Sequence, residues 1–595
     1  MYHLTFTRNQ KDWKKNSTNI FLGKAELPGK LDKTHSDYKF IIPNWHWDNV
    51  SKLEEDYQYI DVFYEKLIKR ISYSLNEIHN EKWSLKSWKI LIGPWLRRYL
   101  IVLFDRIENI KYISNYYDLK SFTVLTKKIY DDFFPTTFDD FQDKLKNENF
   151  NVKFNSLVAE KLLDNKKFKK TNIEIEKILV KKKQKKKNIN SKEIIKSIIK
   201  SRIYNNLFSY FLKKNKFYFH ELQTNSNFEK INLFWKLKNF PHLGFNNIDV
   251  RSEKNYSKNL RNKLVELIKK EIKLTNFFEI CALDFIFYFI PECYLESFQK
   301  NKDLSIKEFR FIDPIIIIDQ TSYHKDEIFK FWLAQIDKSR KKILLIQHGG
   351  EYEVFAPEND FIKQELEISN IYLSWGWKKN NFNVFPISCP ISFKIKKDIS
   401  ESTINVILRP FIRFFSGSAY NDYGLSQKKY LELVLNFLNS LNEEKTVNLC
   451  FHPSKLSLQD ENEYKNFILE NFKNKKNFNC VYGLKNYINF SSFNIFTYLG
   501  TPFDQAISSN IPSMVLTSDS NFLNKNYQKV FDSLQKSKIL HTNPDTLINH
   551  LNNVSNKTLD WWNKDLTQQS RKKYCSNFAC SSEDSQSIFQ ILKKL

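Results

Sequence analysis

From residue 311 to residue 516 the chain alternates apolar runs of strand length with amphipathic stretches of helical period, and no other feature limits its fold as tightly. "FIDPIIIID" (311–319) is a continuous apolar run, as expected of a parallel strand covered on both faces. The helical stretch "DEIFKFWLAQIDK" (326–338) follows, then strands "KILLIQHGG" (342–350), "NIYLSWGW" (370–377) and "NVFPISC" (383–389). A polar break, "FKIKKDISEST" (393–403), precedes a second series. There the pattern predicts strands at 404–410, 446–451, 478–483, 493–499 and 512–516, with helices at 427–441, 461–473 and 502–510. Such alternation builds open α/β sheets, which bind ligands beyond the carboxyl ends of their strands.

A chain of 595 residues is too long for a single core. Residues 51–130 read as long amphipathic helices: "YQYIDVFYEKLIKRISYSLNEIH" places Tyr59, Phe63, Leu67, Ile71 and Leu75 on one face. The division expected is a helical and α/β region at 1–160, a basic excursion at 161–210, the remainder of a first Rossmann-like domain at 211–398, a second such domain at 399–555, and C-terminal helices at 556–595. The most apolar windows, 88–104 and 277–290, carry charges and are too short to cross a bilayer. No apolar leader opens the sequence, and seven cysteines are scattered without a CxxC pair or metal-ligand spacing. These features point to a soluble cytoplasmic protein with incidental thiols.

The net charge of +26 would attract polyanions: nucleic acid, an anionic membrane face or phosphorylated sugars. Much of the excess sits in 165–202, where lysines dominate and Phe168 is the sole aromatic. Nucleic-acid readout calls for arginines and stacking rings beside the lysines, so this composition argues against it. A solvated basic helix or loop fits, and so does attraction to anionic lipid, worth about 1 kcal/mol per lysine.

Three strand ends hold the candidate chemistry. In "LCFHPSKL" (449–456), Pro453 fixes the chain direction at the end of a strand and with it the imidazole of His452. That imidazole is suited to stabilising a departing phosphate. In "TYLGTPFDQA" (497–506), Gly500 permits a tight turn, Thr501 reads as an N-cap, Pro502 as the first helical residue and Asp504 as a capping-box partner. A helix start at a strand's carboxyl end is an anion site or simply a well-capped helix. In "IQHGGEYE" (346–353), Gln347 and His348 end a strand. Gly349 and Gly350, two of only 11 glycines, allow close backbone approach, and Glu351 offers an acid–base group. Arg409 and Arg413 could neutralise a diphosphate or lie in a loop, and Asp319 is either a base facing the cleft or a turn residue. No P-loop, GxGxxG, HExxH or GxSxG is present, which removes the usual anchors for ATPase, dehydrogenase, zinc hydrolase and α/β-hydrolase readings.

The segment 41–106, with "FLGKAE" (21–26), "YHKDEIFKFWLAQ" (323–335), "IQHGG", "YLSWGW" and "TYLGTPFDQAISSNIP", resembles in order the blocks of a bacterial transferase family first catalogued from leptospiral surface-polysaccharide loci. More distantly, a QHG block, then HP, then a threonine-containing helix start is similar to CMP-sugar transferases of the GT-B fold, namely bacterial Kdo transferases and sialyltransferases. That fold has two Rossmann-like domains facing a cleft, here with a large helical N-terminal elaboration. By the resemblance His452 contacts the donor phosphate, while Thr497, Gly500 and Thr501 hold phosphate or the sugar carboxylate. It also implies inversion, no metal and no cofactor, a CMP-activated ulosonic acid as donor, and a surface-polysaccharide or lipid-linked acceptor. A UDP or dTDP donor, or an epimerase-like reaction, is the enzyme alternative; a basic nucleic-acid-binding protein is the alternative of another class. The chain departs from the family at Glu353, where a glycine is usual, and has Gly500-Thr501 where sialyltransferases carry paired serines.

Overall fold

The computed structural model describes all residues except 8–12, 23–36, 126–132, 164–167, 174–206, 225, 240–255, 337–340, 357–359, 391–399, 411–412, 418–426, 443–444, 452–457, 473–476, 483–487, 489–490, 518, 555–557 and 582–584. The expected open α/β architecture is present, with three wholly parallel sheets.

The N-terminal sheet comprises β1 (Tyr2–Leu4), β2 (Thr18–Ile20), β3 (Lys39–Ile41), β4 (Leu119–Leu125) and β5 (Lys169–Ile173), in the order β3-β2-β1-β4-β5. The sequence reading made this part a helical and α/β region at 1–160 with a basic excursion at 161–210, and edge strand β5 falls within that excursion. The first three strands are three residues each, shorter than a period-2 pattern needs to show itself. Two long helices, α1 (Val50–His79) and α2 (Leu85–Tyr116), lie between β3 and β4. The face read from α1's spacing is buried at Phe63, Leu67, Ile71 and Leu75. Residues 90–103 of α2 are buried on every side, which accounts for the apolar window there without a membrane. Among the described residues no helix is long and apolar enough to cross a bilayer.

The middle sheet is β6 (Phe217–Phe219), β7 (Ile316–Asp319), β8 (Lys342–Ile346), β9 (Ile371–Ser374) and β10 (Val384–Pro386), in the order β10-β9-β8-β7-β6. Because every crossover steps the same way, right-handed connections place α4 (Glu327–Gln335) and α5 (Asp360–Ile368) on one face. A separate apolar cluster covers strand residues Phe217, Ile316, Ile318 and Leu344 with Leu233 and Phe234 of α3 (Asn227–Lys236) and with Ile591 and Leu592 of the C-terminal helix α8 (Ile588–Lys594).

The third sheet has the order β13-β12-β11-β14-β15-β16, from β11 (Ser400–Ile407), β12 (Thr446–Phe451), β13 (Phe478–Tyr482), β14 (Ser491–Phe496), β15 (Ser513–Leu516) and β16 (Leu540–His541). Counted within the sheet this is 3-2-1-4-5-6, the doubly wound nucleotide-binding order whose switch point falls between the first and fourth strands. Helix α6 (Thr501–Ser508) follows β14, and α7 (Asp565–Phe578) packs over it before the chain returns to the middle sheet.

Candidate functional site

The loop after β8 and the loop after β14 meet. Gln347 fixes the first of them: its side-chain oxygen accepts the Trp375 backbone N–H at 2.8 Å and the Trp377 indole N–H at 2.9 Å, while its amide donates to the Gly349 carbonyl at 2.7 Å. Gln347 is therefore spent on holding the loop. The Gly350 N–H donates to Thr501 Oγ1 at 2.8 Å. A methyl group at Gly350 would lie 2.2 Å from Asp504 Oδ2 and 2.6 Å from the Thr501 nitrogen. The close approach that the double glycine permits is thus the docking of one loop on the other sheet's helix. Nearby, Phe355 bridges Leu523, and the Ala356 N–H donates to the Phe522 carbonyl at 2.8 Å.

That docking alters the reading of the helix start. Gly500, not Thr501, is the N-cap, because the Thr501 hydroxyl is taken by Gly350. Asp504 does not close a capping box. Its carboxyl accepts the Tyr574 hydroxyl at 2.7 Å, and burial pushes it up to about 8, so it is uncharged at neutral pH. Glu351 and Glu353 lie in the left-handed backbone region, with φ of 72° and 62°. Glycine occupies this region without strain, which gives a physical reason for the family's usual glycine at the Glu353 position. Here Lys379 pairs with the Glu353 carboxylate at 2.9 Å, and Asn524 donates to its carbonyl at 3.1 Å.

His348 belongs to a buried cluster that the sequence reading missed in part. Glu365, on α5, is its hub: one oxygen lies 2.6 Å from His324 Nε2 and 3.5 Å from His348 Nδ1, and the other accepts the Tyr372 hydroxyl at 2.8 Å. The Tyr352 hydroxyl lies 2.9 Å from His348 Nδ1, and Phe361 meets both imidazoles edge to face. Burial lowers His348 to about 4 and drives His324 well down, so both rings are neutral at pH 7. Burial raises Glu365 to about 7. Arg98, reaching in from α2, lies 4.8 Å over Phe361 and donates to the Ser416 carbonyl at 3.0 Å. It packs on Gly417, whose φ of +66° suits glycine. One donor atom from each of His324, His348 and Glu365 lies within 4.8 Å of the others, a set that would suit zinc. A tetrahedral ion needs ligand atoms roughly 3.3 Å apart, and the 2.6 Å His324–Glu365 hydrogen bond would have to open. A sequence signal existed for both: His324 lies five residues after the strand "IIIID", and Glu365 interrupts the apolar stripe of Ile362 and Leu366.

The remaining candidates are dispersed. Asp319 ends β7, is buried, and accepts the Tyr323 N–H at 2.8 Å; burial raises it to about 6. Arg409 and Thr497 come together at the switch point, just beyond β11 and β14. Thr497 donates to the Ile407 carbonyl at 2.9 Å and shares a 2.8 Å hydrogen bond with Tyr430, whose ring lies 4.0 Å from the Arg409 guanidinium carbon. Arg413 is elsewhere, buried and paired through both terminal nitrogens with Glu148 at 3.1 Å. That is neither an exposed loop nor an open anion site. His452 and Pro453, which follow β12 directly, lie outside the described residues.

No curated protein matches this sequence. Among solved structures it is similar to sucrose-phosphate synthase from Thermosynechococcus elongatus, at 12% identity and a TM-score of 0.33, over 48% of this chain and 74% of that one. It is also similar to the spinosyn rhamnosyltransferase SpnG complexed with spinosyn aglycone, at 8% identity and a TM-score of 0.28, over 50% and 79%. At such scores neither likeness bears on the site. A family model, by contrast, matches residues 2–592, nearly the whole length, and by that match the chain belongs to the LIC12162 family of transferases.

Proposed function

We propose that the chain is an inverting, metal-independent glycosyltransferase of GT-B type. It transfers a sugar, with a CMP-activated ulosonic acid favoured as donor, to a surface-polysaccharide or lipid-linked acceptor. The observation that carries the reading is the 3-2-1-4-5-6 strand order with Arg409, Thr497, Gly500 and Thr501 at its switch point, inside a chain whose family is one of transferases. The donor nucleotide takes that switch point. Arg409 binds its phosphate, and His452 stabilises the leaving group. From the other sheet, His348 accepts the acceptor hydroxyl's proton. Its neutral imidazole is free to take one, and Glu365 and Tyr352 orient it. Glu351, beside Gly500, completes the wall where the two loops meet.

Thermal stabilisation across CMP, CDP, UMP, UDP, dTDP, GDP and ATP in EDTA tests this. A ligand at 100 times its dissociation constant adds about 2.7 kcal/mol. The expected result is a response confined to CMP and abolished in His452→Ala. A response to UDP or dTDP moves the donor, one that appears only when a divalent cation replaces the EDTA ends the metal-independent reading, and silence from every nucleotide in both buffers overturns the assignment.

A further inference from the structure

Helix α3 is apolar on two opposite faces. Leu233, Phe234 and Leu237 face the middle sheet, with the Phe234 ring 5.0 Å from Phe219. On the other side Phe228, Ile231 and Trp235, spaced three and four apart, form a single stripe that is 76%, 63% and 84% exposed. Three large apolar side chains exposed together on one helix face, among the described residues, mark an interaction surface rather than ordinary scatter. Apolar exposure recurs just before edge strand β6, at Leu207, Tyr210 and Phe211.

The charge around the stripe is one-sided. Residues 207–239 hold six lysines, at 213, 214, 216, 230, 236 and 238, against two acids, Glu221 and Glu229. Glu221 is occupied by the hydroxyls of Thr321 and Ser322. The connection from β5 to β6 also carries "KKKQKKK" at 181–187. A protein partner would need an acidic surface built to match. A bilayer containing anionic lipid offers both requirements at once, an apolar interior for aromatic side chains and negative headgroups for flanking lysines.

We infer that α3 docks this protein on an anionic membrane surface, with Phe228, Ile231 and Trp235 inserted at the headgroup boundary and the flanking Lys236 and Lys238 among the headgroups. The inference is independent of the transfer chemistry, since it would hold for any activity the chain performs.

Co-sedimentation of the full chain with vesicles containing phosphatidylglycerol, against vesicles of phosphatidylcholine alone, is the test. Wild type is expected on the anionic vesicles and to be released by salt. Phe228→Ser with Trp235→Ser should lower the partition coefficient at least about tenfold while leaving the melting temperature unchanged, because both side chains are solvent-exposed before docking. Equal binding by the double variant, or no preference of wild type for anionic vesicles, overturns the inference. So does a wild-type dimer that the double variant dissolves without any lipid binding, which would make a second copy the occupant.

Discussion

Gly350→Ala is the sharpest test of how the two sheets meet. The new methyl group would stand 2.2 Å from Asp504 Oδ2, 2.6 Å from the Thr501 nitrogen and 2.8 Å from the Gly500 carbonyl carbon. Two of those neighbours are backbone at a helix start, so relief requires the loop after β8 to retreat and the 2.8 Å Gly350–Thr501 hydrogen bond to break. Overpacking of this kind costs about 1–3 kcal/mol, and the lost hydrogen bond about 0.5–1.5 kcal/mol more. If the chain unfolds as one unit, its unfolding entropy is about 1.2 kcal/mol/K, so a combined loss near 3 kcal/mol lowers Tm by about 2–3 °C. Differential scanning calorimetry of Gly350→Ala, Thr501→Val and Thr501→Ser separates the two contributions. The valine variant loses only the acceptor and should shift by about 1 °C, while the serine variant keeps it and should melt with wild type. An alanine variant with wild-type Tm and enthalpy would mean the loops do not touch, and the site built on their contact would fall with it.

The Asp504 carboxyl, raised to about 8 in the fold, ionises first in the unfolded chain. Stability therefore declines as pH rises from about 4 to about 8, by about 5 kcal/mol in the limit. Asp504→Asn retains an acceptor for Tyr574 and removes this dependence, so its Tm advantage over wild type should be near zero at pH 5 and largest at pH 8; a constant difference across that range would contradict the buried-acid assignment. For transfer itself, His348→Ala should lower kcat by about 10²–10⁴-fold. Glu365→Gln keeps a hydrogen-bonding group beside His348 and should cost less. Wild-type turnover by both variants removes the cluster from the chemistry.

Most strands of the two later sheets were legible because they are apolar runs that mark themselves without neighbours, whereas β6 and β16, three and two residues long, were not read from the sequence. Thr446–Phe451 matches its sequence reading to the residue, and Phe478–Tyr482 and Ser513–Leu516 lie within one residue of theirs at each end. The N-terminal sheet escaped because β1, β2 and β3 are three residues each and exist through one another's hydrogen bonds rather than through any pattern of their own. The candidate site divides along the same line. The strand-end placement of Gln347, His348, Arg409 and Thr497 follows from local pattern.

Which hydrogen-bond partners such residues take depends on groups distant in sequence. Arg413 reads as either a diphosphate ligand or a loop residue until Glu148, 265 residues away, accepts hydrogen bonds from both of its terminal nitrogens. Thr501 reads as an N-cap until Gly350, 151 residues upstream, takes its hydroxyl. In both cases the partner comes from far along the chain, Glu148 from a helix start and Gly350 from the loop after β8. Glu353 shows the converse. Its departure from the family's glycine is visible in sequence, yet its meaning needs the 62° φ and the Lys379 and Asn524 contacts that hold a side chain there. A left-handed residue costs roughly 1–3 kcal/mol, and this loop carries two non-glycine residues in that region, Glu351 and Glu353.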